Sequence, residues 1–409
     1  MFQSVTRKCW GSILMVAGTA IGAGMLALPI VTSEIGFFYA ALLFVLCYAF
    51  MMVNSFLLVE ASCYSQKADA NIITISGEHL GALGQIVAWV CFLLLLYAVA
   101  AAYISAGGAL VGHFLQEVLG PQVSLHWGMF IFIVGFALIV LFGMRSTDLI
   151  NRILLVGLVA AFLYLFSNMA PHVNTDYFVT GEASYIWAAI PVIILSFTSN
   201  IIIPSLKKYL DNDTKKLARA LLIGGVIPLV FYLLWQFIIL GVLPMYGPHG
   251  LIAIEHSAYP VNALTQTLES YFGLASAAIA VGIFSFCALT TSFLAVLVSL
   301  VDFLADGLRI NHITKFGKKI YLVIAVIPPL LFALFFPKGF LVALGYGGVF
   351  VAILYGILPA LMVWKARYQK NLKSEMKVFG GKPLLCIVLL ASIAIIFFQV
   401  GATLGWIPV

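Results

Sequence analysis

Two short stretches of this chain combine flexible or small polar residues with a proline that follows at the same distance. They are residues 18–25, GTAIGAGM, and residues 196–200, SFTSN. Pro29 lies seven residues after Gly22, and Pro204 lies seven residues after Phe197. A glycine inside a helix costs about 1 kcal/mol relative to alanine, and serine, threonine and asparagine side chains compete with the helix for its backbone hydrogen bonds. Both stretches therefore predict a helix that opens.

An opened helix presents its backbone ends to a ligand. The N-terminus of a half-helix carries partial positive charge and free N–H groups, which suit a carboxylate. Unwound carbonyls and half-helix C-termini suit an ammonium group or a metal cation. Two adjacent openings would supply both kinds of group to a zwitterionic amino acid. Close helix packing is the alternative for the first stretch, because Gly18 and Gly22 fit the small-xxx-small pattern, but the second stretch favours binding.

The composition indicates which elements must position these openings. Hydrophobic residues make up 63% of the chain, charged residues 9%, and the mean hydropathy is +1.13. Soluble proteins carry about 25% charged residues, so we expect an all-α membrane protein. A crossing helix needs about 20 apolar residues. Eleven segments qualify as transmembrane helices: 11–35, 37–63, 85–112, 127–143, 153–169, 184–206, 220–243, 274–301, 320–336, 339–364 and 384–404.

The two predicted openings fall in the first and the sixth of these spans. The first five spans lie in residues 1–169 and the next five in residues 184–366. Because five is an odd number of crossings, the second half enters the membrane from the opposite face. This predicts a five-plus-five inverted repeat of the LeuT type, in which interrupted helices at matching positions mark a substrate site at the midplane. Residues 384–404 form an additional eleventh helix.

Lysine and arginine are distributed unequally between the two sides of the membrane in this predicted topology. Twenty of the 21 fall on one side, and the loops of the other side hold only Lys338. Because these residues favour the cytoplasmic side, the N-terminus is predicted to be cytoplasmic and the C-terminus periplasmic. The basic residues are split among short loops, so we expect the lipid bilayer and no nucleic acid as a partner. The six cysteines have no metal-like spacing, and no cofactor is expected.

The centres of the predicted spans carry no Lys, Arg, His, Asp or Glu. All 15 Asp and Glu residues fall in loops or near span ends. Intramembrane ionisable groups usually mark proton relays, so we expect backbone and neutral side chains to hold substrate and ion. Glu60 is the best candidate for a protonatable group, with a solvated or salt-bridged carboxylate as its alternative. A secondary transporter is favoured over a channel, which would need pore charges or a filter sequence, and over an enzyme.

One loop segment, 255–273, has the pattern of a short amphipathic helix. Pro260 stands at a plausible first turn, and apolar residues follow at helical spacing, namely Val261, Leu264, Leu268 and Tyr271. The segment is predicted to form an external lid, or else a packed connector.

Several longer runs resemble a known family. They are GTAIGAGMLALP at 18–29, YAVAAAYISAGGAL at 97–110, NRILL at 151–155, VDFLAD at 301–306 and FPKGFLVALGYGGV at 336–349. These runs are similar to the bacterial aromatic amino acid permeases for tyrosine and tryptophan, of the amino acid/polyamine/organocation superfamily. The resemblance implies an inner-membrane importer with the five-plus-five fold. It implies tyrosine as the first substrate, tryptophan or phenylalanine next, and another neutral amino acid such as serine or leucine as the alternative.

The resemblance also implies a set of substrate-binding residues. The first opening would hold the carboxylate and amine of the substrate through Thr19, Ile21, Gly22, Ala23 and Gly24. The second opening would face it with Phe197, Thr198, Ser199 and Asn200. Tyr97 would bond a carboxylate or cover the site, and Phe286 and Tyr346 would stack on an aromatic side chain. Ordinary helix packing is the alternative for these three aromatic residues.

Members of this superfamily use a proton or a sodium gradient, and the resemblance implies H+ or Na+ as the coupling ion. A sodium cage would take hydroxyls from Thr290, Thr291 and Ser292 and carbonyls from Ala17 and Ala20, since a hard cation prefers oxygen ligands. In the alternative, the hydroxyls bond carbonyls of their own helix.

Overall fold

The computed structural model describes residues 2–22, 24–65, 70–272, 275–308, 315–336 and 338–408. The first half of the chain forms helices α1 (Phe2–Ala20), α2 (Gly24–Val31), α3 (Gly36–Cys63), α4 (Ile72–Leu80), α5 (Ala82–Leu119), α6 (Leu125–Phe142), α7 (Met144–Met169), α8 (Ile186–Ser196) and α9 (Ile203–Tyr209). The second half forms helices α10 (Thr214–Val242), α11 (Leu251–Glu255), α12 (Pro260–Phe272), α13 (Ala275–Leu308), α14 (Lys315–Phe335), α15 (Gly339–Val351), α16 (Leu358–Trp364) and α17 (Gly381–Thr403).

Within the described part of the chain, nine helical stretches are long and apolar enough to cross a membrane. One of them, Ala183–Tyr209, includes α8 and α9, and another, Gly339–Gln369, includes α15 and α16. Helices α1 and α2 together form a tenth candidate span, which is bent by 49° at the break between them. Lys319–Phe335 is a shorter apolar helix at the predicted ninth span. The part of the chain that the structure describes is all-helical, and its long apolar helices support a multi-pass membrane protein, while the eleven crossings and the inverted repeat stay predictions.

Several helices extend beyond the predicted apolar segments. Helix α7 begins at Met144 rather than near residue 153, and α5 runs to Leu119 rather than residue 112. A glycine with positive φ lies at each of these boundaries: Gly143, at 103°, precedes the first residue of α7, and Gly120, at 101°, follows the last residue of α5. Glycine adopts positive φ readily and can set a helix boundary whatever the polarity of the adjacent turns, so hydropathy alone underestimates helix length.

Helix α15 packs against its neighbours through glycines. A Cβ on Gly348 would overlap the backbone of Pro191 in α8, and a Cβ on Gly345 would overlap the side chain of Gln399 in α17. Small residues allow helix backbones to approach closely in a membrane. The glycines of α15 therefore fix its position beside the half-helix α8.

The predicted amphipathic helix is present as α12, which begins at Pro260. Three of its four apolar positions are buried, namely Val261, Leu264 and Leu268. Tyr271 was expected on the same face but is 48% exposed. It lies at the edge of the apolar stripe near the end of the helix, where neighbouring elements no longer cover it.

Glu60, near the C-terminal end of α3, lies in a buried ion pair. Arg367 donates from Nε and Nη2 to the two carboxylate oxygens, with 2.6 Å between Nε and Oε1. The N–H of Val378 and the hydroxyl of Tyr64 donate to the same carboxylate, at 2.8 and 2.9 Å. Both charged side chains are buried. The salt-bridged alternative for Glu60 is confirmed, and the pair ties α3 to the chain after α16.

We expect Glu60→Gln to destabilise the protein because it leaves the Arg367 charge buried without compensation. Breaking a buried pair in this way costs about 3–5 kcal/mol. Equilibrium unfolding in mixed micelles measures the loss. The control is Asp148→Asn, which breaks an exposed pair with Arg152 and should cost less than about 1 kcal/mol. Equal losses in the free energy of unfolding for the two variants would contradict a buried ion pair between Glu60 and Arg367.

Candidate functional site

The first predicted opening is present between α1 and α2. Helix α1 ends at Ala20 and α2 begins at Gly24. The N–H of Ile21 bonds the carbonyl of Ala17 at 2.9 Å and closes the last turn of α1. Ala23, predicted to bind substrate here, lies outside the described residues. The opening therefore brings the C-terminal end of α1 beside the N-terminal end of α2.

The second predicted opening is present between α8 and α9. Helix α8 ends at Ser196, and residues 197–199 are not helical. A single 3-10 turn, Asn200–Ile202, leads into α9 at Ile203. Pro204 occupies the first turn of α9, where its missing N–H leaves no helical bond unmade. Both openings that the sequence predicted are thus confirmed.

The two openings touch each other through Gly24 and Ser196. A Cβ on Gly24 would lie 2.6 Å from the Ser196 hydroxyl oxygen and 2.9 Å from its Cβ. Both distances are far below van der Waals contact. Ser196 Oγ donates to the carbonyl of Val192 at 2.9 Å, so the serine is held in place. Only glycine fits at the start of α2.

Tyr232 joins the two openings from a third helix, α10. Its hydroxyl lies 2.6 Å from the carbonyl oxygen of Ala20 and 2.9 Å from that of Ser196. These are the last residues of α1 and α8. Tyr232 is fully buried. Tyr232 was not anticipated from the sequence; the available signal was a tyrosine inside an apolar span, where its hydroxyl needs a partner.

Phe197, predicted to face the first opening, has its ring in an aromatic cluster. The ring centroid lies 5.1 Å from that of Tyr232, 6.1 Å from that of Tyr48 and 6.3 Å from that of Phe44. The Phe197 side chain is therefore packed between α3 and α10 and supports Tyr232.

The polar residues of the second opening are largely engaged with protein. Asn200 Oδ1 accepts a hydrogen bond from Ser55 of α3 at 2.7 Å, and Thr198 donates to the carbonyl of Ile194 at 3.0 Å. Ser199 is buried. Asn200 Nδ2 is buried without a hydrogen-bond partner among the described residues. A buried donor without an acceptor is costly, so this amide is a donor that a ligand could satisfy.

The residues of the predicted sodium cage already have protein partners. Thr290 and Thr291 donate to carbonyls of their own helix, at 2.7 and 2.9 Å. The Ala20 carbonyl accepts from Tyr232, and the Ala17 carbonyl closes the last turn of α1. These bonds match the alternative to the sodium cage, in which the threonine hydroxyls bond carbonyls of their own helix. Each carbonyl keeps a second lone pair, and the sodium site stays a prediction.

Ser292, the third predicted hydroxyl ligand, lies against the first opening. A Cβ on Gly22 would overlap the Ser292 hydroxyl. Tyr103 of α5 reaches Ser292 with its own hydroxyl. Helices α5 and α13 thus meet the α1–α2 opening at Ser292.

The remaining predicted residues are spread around this centre. The hydroxyl of Tyr97 donates to the carbonyl of Ile324 in α14 at 2.9 Å, which directs this side chain to α14. The Thr19 hydroxyl donates to the carbonyl of Met15 at 2.7 Å on an exposed face of α1. Phe286 and Tyr346 are partly buried on α13 and α15.

A cavity of about 120 Å³ is lined by residues of α2, α8, α11, α15 and α17. Its polar lining includes Glu34, Tyr185, Glu255 and Gln399. Ser33 donates to Glu255 Oε2 at 2.6 Å, which attaches α11 to the turn after α2. Burial raises the pKa of Glu255 to about 7, helped by the nearby Glu34 charge and opposed by the Ser33 bond. This carboxyl was not anticipated from the sequence.

The pattern of the Tryptophan/tyrosine permease family matches residues 5–399 of this chain. Tyrosine-specific transport system 1 of Haemophilus influenzae is 36% identical over 98% of this chain and 99% of its own length. The tryptophan-specific transport protein of the same organism is 31% identical over 99% of each chain. Glutamine transporter 2 of Aliivibrio fischeri is 28% identical over 96% of this chain and 99% of its own length.

These matches are transport proteins rather than enzymes, and they cover nearly all of the helices described above. The chain belongs to the Tryptophan/tyrosine permease family.

Proposed function

We propose that this protein is a secondary active transporter that imports an aromatic amino acid by ion-coupled symport with alternating access. The observation that carries the proposal is that two opened helices meet. The carbonyl groups of the last residues of α1 and α8 both accept a hydrogen bond from the hydroxyl of Tyr232. The similarity to tyrosine- and tryptophan-specific transport proteins supports an aromatic substrate. Tyrosine is the first candidate, followed by tryptophan and phenylalanine.

The proposed site divides the substrate between the two openings. The N-terminal end of α2, which begins at Gly24, supplies N–H groups and partial positive charge for the carboxylate. The carbonyls at the ends of α1 and α8 supply acceptors for the amine. Asn200 Nδ2 adds a donor, and Phe286 and Tyr346 are the candidates to contact the aromatic ring. No charged side chain is needed at the site.

The side of the protein that carries the basic loops is assigned to the cytoplasm. Twenty of the 21 lysines and arginines occupy loops of that side in the sequence threading, and this bias orients membrane helices. The protein would then lie in the bacterial inner membrane, with its N-terminus cytoplasmic and its C-terminus periplasmic. The cavity beside Glu255 would face the periplasm.

Gly24→Ala is expected to reduce amino acid uptake at least tenfold with normal expression. The new methyl group would overlap Ser196 and push α2 away from α8, and overpacking of this kind costs about 1–3 kcal/mol. Uptake into proteoliposomes measures the effect. The control is Gly18→Ala, in the same segment, where a Cβ meets nothing within 4 Å. Gly24→Ala combined with Ser196→Gly should recover part of the activity. Full activity of Gly24→Ala alone would remove the proposed carboxylate site.

Counterflow into proteoliposomes should identify the substrate and the ion. We expect unlabelled tyrosine, tryptophan and phenylalanine to exchange with labelled tyrosine more effectively than leucine, serine or glutamine. Imposing a sodium gradient and a proton gradient separately then shows which of the two drives accumulation. Preferred exchange of leucine, serine or glutamine would overturn the aromatic assignment, and purely downhill flux would indicate a channel.

The packing of α11 around the buried Glu255 carboxyl is expected to weaken as the pH rises through about 7, because burial disfavours the ionised form. The pKa of Glu255 is raised in this packed state from an ordinary value of 4.5 to about 7, so the packed state binds the proton more tightly than an open state. Packing is therefore fully stabilised below about pH 4.5 and is lost as the carboxyl ionises near pH 7.

Labelling of a cysteine placed at Val192, a buried residue of the cavity wall, tests this pH dependence in a chain whose six native cysteines are replaced. At pH 8 the cysteine should react several times faster than in the same chain carrying Glu255→Gln, and at pH 5 the two rates should agree. Using the ratio at each pH cancels the pH dependence of the thiol itself. A ratio that is independent of pH would contradict the prediction.

A further inference from the structure

The Tyr232 hydroxyl occupies a position that attracts positive charge. It lies between the carbonyl oxygens of Ala20 and Ser196, at 2.6 and 2.9 Å. The last carbonyls of a helix have no intrahelical partner, and each helix C-terminus carries about half a unit of negative charge. Two such ends meet here inside apolar spans, where an unpaired backbone group is especially costly. A single hydroxyl proton is shared between them.

The position of this hydroxyl is fixed by the packing of the Tyr232 ring. The ring is in edge contact with Phe197, at 5.1 Å between centroids, and with Phe44, at 6.5 Å. Phe44 belongs to α3 and Phe197 to the second opening, and both are buried. Tyr232 itself has no exposed surface. The hydroxyl is therefore held in place rather than free to rotate away from the carbonyls.

We propose that Tyr232 is a positioning residue that holds the ends of α1 and α8 together in place of a bound cation. A small hard cation such as Na+ binds carbonyl oxygens, and half-helix C-termini coordinate such ions in other membrane transporters. The tyrosine proton satisfies the same two oxygens without an ion. This inference rests on the proposed function, because the oxygens that Tyr232 positions are those assigned to the substrate amine.

One consequence concerns the coupling ion. The junction of α1 and α8 requires no cation while the Tyr232 hydroxyl is present. Any sodium dependence of the native protein must then arise at another place, such as the hydroxyls of α13.

The test uses Tyr232→Phe, which removes the hydroxyl and keeps the ring. In choline chloride we expect the affinity for tyrosine to fall about tenfold relative to the native protein. In sodium chloride the ratio of the two affinities should approach one, because Na+ can bind the exposed carbonyls. Using the ratio cancels any sodium effect that arises elsewhere in the protein. A ratio that is unchanged between the salts, or no loss of affinity in choline, would overturn the proposal.

A second measurement does not depend on amino acid binding. Thermal unfolding of Tyr232→Phe in detergent, without substrate, should occur at a higher temperature in sodium chloride than in choline chloride, by more than in the native protein. The matched control is Tyr355→Phe, a buried tyrosine on the chain between α15 and α16 whose hydroxyl has no hydrogen-bond partner among the described residues.

The control should show no additional sodium effect. Equal stability of Tyr232→Phe in both salts, including failure to fold in both, would overturn the proposal. Because the unfolding measurement uses no amino acid, sodium can stabilise Tyr232→Phe even if the assigned substrate is wrong. Failure of the proposed function is therefore distinguishable from failure of the proposal for Tyr232.

Discussion

A backbone group without a partner is strongly disfavoured in hydrocarbon, and this constraint governs the centre of the protein. Opening α1 at Ala20 and α8 at Ser196 leaves carbonyls and N–H groups outside regular helix. Such openings persist only where protein surrounds them or a cavity solvates them. Here the surrounding helices supply the missing partners, most directly through Tyr232 of α10. The same groups that are costly when unpaired are those that recognise a zwitterion, so stability and recognition depend on one small region.

The openings and the all-helical class could be predicted from the sequence because both depend on local chemistry. Glycines at Gly22 and Gly24 weaken a helix wherever it packs, and the polar run before Pro204 does the same. Helix length was underestimated where a glycine with positive φ, such as Gly143, determines the end instead of polarity. The number of crossings and the repeat symmetry concern arrangement in the membrane, and they stay predictions.

The contacts of the site were harder to predict because they join residues far apart in the chain. Tyr232 is more than 200 positions from Ala20, and nothing in its local sequence marks its partner. The hydroxyls of Thr290 and Thr291 fit either an ion cage or their own helix, and spacing alone does not separate the two. Glu60 was considered as a proton carrier, but Arg367 neutralises it from more than 300 positions away. Pairing of this kind follows from the tertiary fold and not from composition.

The contact between Gly24 and Ser196 has a further consequence for motion. No gap separates the start of α2 from the end of α8, so neither can tilt toward the other without displacing it. The cavity on the Glu255 side would then change volume through its other walls, α11, α15 and α17, because α2 and α8 are held in contact.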